Sequence, residues 1–404
     1  MKKIYLHVLF MYFGILSTYA QTKPEPAQVD SSRYQSRKLK IDEINLVSAY
    51  YHQNGNNSAV TGGIGTEKLS DFANTIDLQV SKFNKRGKKN TFLFELGVDH
   101  YTSASSDKID PSTISSASSA DTRIYPSLNW THSNEETGNS FGFTGSYSTE
   151  FDYQSLGAAF NLTRLSKDKN TQFDFKLQAF LDQWTVILPI ELRTGNTGGR
   201  KEEQYDTAPR NSFSASFSLA QVINQKFQAS LILEPSYQKG LLATKYQRDY
   251  FTDGSLRAET LPDKRYKLPI GLRMNYFLDD RFVIRTFYRY YMDNWGIKAH
   301  TAELEIPVKI NSFFSVSPFY RYNNQIGTKY FAPYGQHLSS EQYFTSDYDL
   351  STLTSDFYGA GIRFAPPKGV FGWQRLNMLE LRYGHYSRST SLVSNIVSLN
   401  LKFK

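Results

Sequence analysis

Near its C-terminus the chain reads Leu379-Glu380-Leu381-Arg382-Tyr383-Gly384, and it closes on Val397-Ser398-Leu399-Asn400-Leu401-Lys402-Phe403-Lys404. Side chains of an extended strand point alternately to opposite faces. Val397, Leu399, Leu401 and Phe403 therefore share one face, and Ser398, Asn400, Lys402 and Lys404 the other. The short polar link Ser387 to Thr390 joins the two runs as a hairpin. A strand that is apolar on one side and wet on the other fits a wall between lipid and water, so this stretch predicts a transmembrane β-barrel.

Composition agrees with that reading. The chain has 404 residues, 28 Tyr, 29 Phe and no Cys, yet its mean hydropathy is −0.49. Barrels give such averages because half of each strand faces water. The absence of cysteine excludes a disulfide framework, thiolate metal sites and a lipidated cysteine. The formal charge of +8 includes Lys2 and Lys3 and is spread along the chain, which does not indicate nucleic-acid binding. Residues 1–20 pattern as a cleavable signal peptide: Lys2 and Lys3, an apolar run from Ile4 to Leu16, then small Thr18 and Ala20 before Gln21. An N-terminal anchor is the alternative, but the run is short of the ~20 apolar residues a spanning helix needs. Residues 21–38 are polar, with Pro24 and Pro26, and are expected to form a flexible periplasmic tail. Residues 39–404 are expected to form the barrel.

Period-two runs fall near 39–51, 71–83, 90–101, 122–132, 140–149, 153–165, 171–182, 210–222, 226–239, 265–278, 281–293, 296–310, 313–324, 355–365, 376–386 and 391–404. They predict an all-β, closed antiparallel transmembrane β-barrel of about sixteen strands. The links alternate in length. Those after even strands are short and polar, such as Lys85-Arg86-Gly87-Lys88, Asp279-Asp280 and Asn311-Ser312. The long ones, 52–70, 102–121, 183–209, 240–264 and 325–354, all follow odd strands. With the N-terminus inside, short turns are periplasmic and long loops extracellular. Pro366 to Gln374 is the exception, being long for a periplasmic turn. A soluble propeller would show a blade repeat of ~40 residues, and none is present.

Tyr50, Tyr51, Tyr101, Phe151, Tyr153, Trp184, Tyr237, Tyr290, Tyr291 and Trp295 lie near strand ends, as two interfacial girdles require. A soluble β core rich in aromatics is the competing explanation, but it does not account for the persistent polar faces. The serine-rich stretch 103–120 reads as a solvated loop. The Gly- and Asn-rich stretch Asn54 to Gly65 is expected to be an external loop, with an inward constriction as the alternative.

Taken together, Lys40-Ile41-Asp42-Glu43-Ile44, Tyr51-His52-Gln53-Asn54-Gly55-Asn56-Asn57-Ser58-Ala59-Val60-Thr61-Gly62-Gly63, Ser118-Ser119-Ala120-Asp121-Thr122-Arg123 and Asp182-Gln183-Trp184 resemble a family of exported bacterial proteins that share a domain of unknown function. The resemblance runs over nearly the whole mature chain. It implies an outer-membrane barrel of a Gram-negative bacterium, whose genes often sit near those for a thioredoxin-like protein and a flavin transferase. It implies no catalytic residues and no cofactor.

Strand parity assigns the lumen. Early strands place acids there: Asp77, Glu95, Asp99, Asp174, Asp182 and Glu234, against Arg123 and Lys176. Later strands place bases there: Arg273, Arg285, Arg289, Lys309, Arg321, Arg363, Arg382 and Lys402, against Glu303, Glu305 and Glu380. Opposed charge walls give a wide pore its selectivity; the plainer reading is that neighbours such as Arg285, Arg289, Glu303 and Glu305 pair to fill the lumen. Arg273, Arg285, Arg289, Arg321, Arg363, Arg382, Glu303, Glu305, Glu95, Asp99 and Asp174 are the selectivity candidates. An enzyme is not expected: Asp99 and His100 point to opposite faces, Asp347 and Asp349 lack a neighbouring His, and no motif surrounds His132. No metal site is expected, because no pair among His52, His100, His337 and His385 has ligand spacing on one element. The chain is thus expected to be a porin-like channel for small polar solutes in contact with outer-membrane lipid. The alternative is a docking barrel with a plugged lumen that serves a periplasmic redox partner.

Overall fold

A computed structural model describes residues 38–102, 120–193 and 206–404. The signal, the tail up to Arg37 and the serine-rich stretch up to Ser119 lie outside the described residues. The first eight strands are β1 Lys40–Gly55, β2 Glu67–Phe83, β3 Lys89–Thr102, β4 Ala120–Asn134, β5 Asn139–Thr149, β6 Tyr153–Leu165, β7 Thr171–Thr185 and β8 Thr207–Asn224. Strand β9 runs Phe227–Leu233 and resumes as Ser236–Gly240. Strands β10 Lys264–Phe277 and β11 Val283–Asp293 follow, then β12, which runs Lys298–Glu305 and resumes as Val308–Lys309. The set ends with β13 Phe314–Ile326, β14 Leu353–Phe364, β15 Leu376–Arg388 and β16 Leu392–Phe403. The sixteen strands are those read from the sequence, with shifted ends.

Every neighbouring pair is antiparallel, and β1 pairs with β16 from Ile44↔Phe403 to Asn54↔Val393, which closes the ring. Closure matters because hydrocarbon offers no partner for a free backbone N–H or C=O. The interruptions of β9 and β12 fall at Pro235 and Pro307, which have no N–H to donate. Both keep acceptor bonds: Ala215 N–H donates to the Pro235 carbonyl at 3.0 Å, and Val283 N–H to the Pro307 carbonyl at 3.2 Å.

The apolar parity faces outward. Leu128 and Leu156 are 52% and 59% exposed, and Phe94, Phe143, Leu177, Leu231, Leu272, Leu304 and Leu381 are exposed with them. Exposed apolar surface on this scale is a membrane-facing belt and not a soluble core. No helix among the described residues is long and apolar enough to cross a membrane. On the inner face, glycines leave room for aromatic rings of the next strand. A Cβ on Gly97 would lie 2.0 Å from the Tyr125 ring, and one on Gly157 2.7 Å from Phe180.

The aromatic girdle is thinner than the sequence suggested. Tyr50, Tyr237 and Tyr290 lie on the outward parity, and Phe151 is exposed in the β5–β6 turn. Tyr51, Tyr101, Tyr153, Trp184 and Tyr291 instead face inward near the extracellular rim. There the Arg210 guanidinium lies 5.5 Å from the Tyr153 ring centre and 4.9 Å from that of Trp184. Trp295 is buried, with 2% exposure. Several strands run longer than the ~9–11 residues a bilayer needs, so aromatics at their extracellular ends pack the rim.

Gly359 is a sensitive test of wall packing, because a Cβ there would meet the Tyr383 carbonyl oxygen at 1.9 Å and the Phe319 ring at 2.9 Å. Gly359→Val is expected to destabilise the barrel by ~1–3 kcal/mol in urea titrations of the detergent-folded protein. Gly145→Ala, which meets nothing within 4 Å, is expected to stay within ~0.5 kcal/mol of wild type.

Candidate functional site

All the lumen candidates fall on the inward parity. Glu95 and Asp99 stand on β3, Asp174 on β7, Arg273 on β10, Arg285 and Arg289 on β11, Glu303 and Glu305 on β12, Arg321 on β13, Arg363 on β14 and Arg382 on β15. Strands β3 and β11 are half a ring apart, as are β7 and β15. The acid-bearing wall therefore faces the arginine-bearing wall across the lumen.

Asp99 and Asp174 are held by neutral donors, while Asp182 on the same wall pairs with Arg210 at 3.0 Å. The Tyr125 hydroxyl donates to Asp99 at 2.9 Å, and Thr163 Oγ1 and Gln172 Nε2 donate to Asp174 at 2.7 and 2.8 Å. The arginines divide into two groups. Arg285 pairs with Glu305 at 3.4 Å and Arg321 with Glu303 at 2.6 Å. Arg382 reaches Glu305 at 2.9 Å across two intervening strands, as well as Glu380 at 3.4 Å. That reach needs the side-chain-free surface of Gly359 and Gly361 beneath it. Arg273 lies over the Phe287 ring at 5.5 Å, and Arg363 contacts the Met378 sulfur at 3.1 Å. Neither of these, nor Arg289, has an ion pair among the described residues. Pairing thus accounts for Arg285, Arg321 and Arg382, while Arg273, Arg289 and Arg363 leave their charge to the lumen. The side chains of Arg285 and Arg321 point inward yet remain 52% and 46% exposed. Water-sized space adjoins them, so this part of the barrel is hollow.

The extracellular mouth is different. The β9–β10 loop carries a small hairpin, Arg248–Tyr250 with Leu256–Ala258. Arg248 is 2% exposed. Its Nη2 donates to Glu191 in the β7–β8 loop at 2.8 Å, and its Nη1 to the Val60 carbonyl in the β1–β2 loop at 3.0 Å. The β1–β2 and β9–β10 loops rise from opposite sides of the ring, so their contact roofs the mouth. Gly62 and Gly63, at φ 82° and 86°, permit it: a Cβ on Gly62 would lie 2.7 Å from the Tyr250 ring, and one on Gly63 2.7 Å from the Ser346 carbonyl oxygen. The stretch Asn54 to Gly65 is therefore neither a plain external loop nor a constriction deep in the lumen, but one side of a cap.

The β13–β14 loop completes that cap. Phe344 N–H donates to the Thr260 carbonyl at 2.8 Å and Thr252 N–H to that of His337 at 2.9 Å. Trp295, in the short β11–β12 turn, packs against Ala243, Leu261, Tyr330 and Leu350. Its indole N–H donates to the Lys264 carbonyl at 3.1 Å. Asp349 at the end of the same loop pairs with Arg388. Inside the cap, Glu259 accepts from Thr244 N–H at 2.5 Å and Thr345 Oγ1 at 2.6 Å, joining two loops. Burial, with Asp347 and Asp249 nearby, pushes its carboxyl up to about 8. Burial likewise raises Asp347 to about 7 and raises Asp249, while it lowers the Lys245 amine. Both ring nitrogens of His337 are engaged, with Glu341 at 2.7 Å and the Thr345 carbonyl at 3.2 Å. Of the other histidines, His100 meets Thr122 at 2.9 Å on the outward face while Asp99 faces inward. Sequence reading missed the cap. Its one signal was the apolar content of a nominal loop, in Leu241, Leu242, Tyr246, Phe251 and Leu261.

A closed ring of strands, oily outside and polar within, defines a membrane-spanning β-barrel. The chain belongs to the family of proteins of unknown function DUF3570, matched over residues 100–370. Lys40–Ile44 and Tyr51–Gly63, which suggested such a family, precede that stretch. No curated protein matches the sequence significantly. Solved structures similar to this chain include a BenF-like porin from Pseudomonas fluorescens, with 8% identity and TM-score 0.41, covering 89% of this chain and 98% of that one. OccK1 of Pseudomonas aeruginosa gives 8%, 0.40, 89% and 97%. The siderophore receptor PirA of Acinetobacter baumannii gives 10%, 0.45, 85% and 53%, so this chain spans about half of that receptor.

The raised carboxyls make the cap sensitive to pH. A carboxyl with a pKa above its ordinary value of 4.5 holds its proton in the closed cap and loses it more readily when the cap opens. Its stabilisation is complete below that ordinary value and disappears as pH rises through about 8. Amide exchange of residues 241–263 is expected to accelerate between about pH 5 and about pH 8 beyond the intrinsic chemical rate, and Glu259→Gln is expected to flatten that rise, most clearly in its upper part. Protection unchanged to pH 9 in wild type would contradict it.

Proposed function

We propose that this protein is an outer-membrane channel of a Gram-negative bacterium, with a folded extracellular cap that controls entry of small polar solutes into a hollow lumen. The single observation that carries the reading is the inward yet solvent-accessible arginine wall. A barrel filled for structural purposes would bury or pair every one of those side chains, whereas Arg273, Arg289 and Arg363 are exposed and have no ion pair among the described residues. Arg273, Arg289 and Arg363 keep their positive field, so anions are the solutes the lumen concentrates. Of the facing acids, Asp99 and Asp174 are held by hydroxyl and amide donors and Asp182 by Arg210. The barrel's work is passage and not catalysis.

A second reading is favoured by the cap itself. A mouth roofed by loops from opposite sides suits a closed barrel that docks a periplasmic partner, and a redox partner held through residues 21–38 is the form this reading takes.

Recordings in planar bilayers separate the two. Arg248→Ala frees the Glu191 and Val60 contacts and is expected to raise the open probability severalfold over wild type. In that background, Arg273→Ala with Arg289→Ala is expected to lower the anion-to-cation permeability ratio by at least twofold. Absence of conductance in every variant, with a periplasmic protein retained by residues 21–38, would favour docking instead.

A further inference from the structure

The outward wall from β5 to β10 carries a feature that solute passage does not use. One row of directly opposed residues runs Gly145↔Ala158, Ala158↔Ala179, Ala179↔Phe213, Phe213↔Tyr237 and Tyr237↔Tyr266. Ala158, Ala179 and Ala215 on the neighbouring strands β6, β7 and β8 sink a trench into the belt, and the tyrosine rings, stacked 4.7 Å apart, close one end. The trench has a volume of about 700 Å³, with Ala158, Ala179 and Ala215 lining its floor and Phe160 and Phe213 beside them. Most of a lipid-facing wall presents protruding Leu, Phe and Tyr; here the wall is recessed over several strands.

The next outward row toward the extracellular side is basic on β9 and β10 and continues through Asn211 to Leu181 and Leu156 on β7 and β6. Lys239 stands directly opposite Lys264, and Asn211 directly opposite Lys239. Both lysines are exposed, and neither has an ion pair among the described residues. Asp263, next to Lys264 in the chain, lies within electrostatic reach of the outward Tyr237 but forms no ion pair with either lysine among the described residues. Like charges directly opposed across a ladder destabilise it, unless an anion lies between them. Ammonium groups and an amide, phenol hydroxyls one row along the strands and an apolar trench beside those phenols supply the contacts that a phosphate-bearing acyl lipid needs.

We propose that this face binds an anionic phospholipid or phosphorylated glycolipid of the outer leaflet, with its phosphate on Lys239 and Lys264 and an acyl chain in the trench beside Ala158 and Ala179. The site requires only that the barrel sits in a membrane, and it does not depend on whether the lumen conducts. The charge row commits the site to a lipid over a second copy of the chain, because two copies meeting here would bring four lysines together. Long Lys stems can also lie along the tyrosine rings while their ammonium groups reach the headgroup level.

Association of spin-labelled phosphatidylglycerol and phosphatidylcholine with the full-length barrel in dioleoylphosphatidylcholine vesicles tests the proposal. Wild type is expected to favour phosphatidylglycerol on the order of fivefold or more, and Lys239→Ala with Lys264→Ala to lose that preference while the barrel stays folded. Ala179→Trp, which fills the trench and leaves the lysines in place, is expected to reduce the motionally restricted fraction of both lipids. Equal association of the two lipids with wild type would overturn the proposal, as would a preference that survives loss of both lysines. Native mass spectrometry showing a lipid-free dimer that Ala179→Trp abolishes would also overturn it, in favour of a second copy.

Discussion

The pairing of β1 with β16 is the constraint on which everything else depends. A sheet left open in hydrocarbon would expose a row of unpaired backbone donors and acceptors, each costing several kcal/mol. Register along that seam is set by side-chain parity, because a slip of one residue would turn the oily set of β16 toward water. Val393 and Val397, on the outside, and Lys402, within reach of Glu43 at 2.5 Å, fix the same register from opposite faces. Once the ring is closed its interior needs no apolar core. Two buried apolar clusters among the described residues sit above the lumen, around Trp295 and around Ile187 and Tyr246.

Closure also explains the division of labour between wall and cap. The wall is regular, and its inner face is free to carry charge because water shares the lumen. The cap is the soluble-like part of the molecule, with a Trp anchor, a buried arginine that ties three loops and carboxyls driven toward their neutral form. Its loops are joined by hydrogen bonds such as Phe344 to Thr260, by ion pairs at Arg248 and Arg388 and by the Trp295 cluster, all of them outside the strand ladder. A lid built this way can respond to pH without disturbing the strands beneath it.

The strands were legible because their signal is local. Tyr266, Leu268, Ile270, Leu272, Met274 and Tyr276 announce β10 without help from the rest of the chain, and Asp279-Asp280 announces the turn after it. The charge walls were legible by the same parity. The cap was not, because it depends on contacts such as Arg248 to Val60 between segments far apart in sequence, and no period marks them. The inward aromatics Tyr153 and Trp184 were misplaced for a related reason. Position near a strand end says nothing of which face a ring takes, and the extra length of β7 carries Trp184 to the rim beside Arg210.

The chain contains no cysteine, so single cysteines report directly on which face of the wall meets water. The decisive measurement compares Leu272→Cys with Arg273→Cys, adjacent positions on β10, in proteoliposomes treated on both sides with a sulfonated methanethiosulfonate that lipid excludes. Modification of the Arg273→Cys thiol, with the Leu272→Cys thiol protected until detergent is added, is the expected result. Modification of the Leu272→Cys thiol in intact vesicles, with the Arg273→Cys thiol protected, would contradict a barrel with an oily exterior and an aqueous lumen.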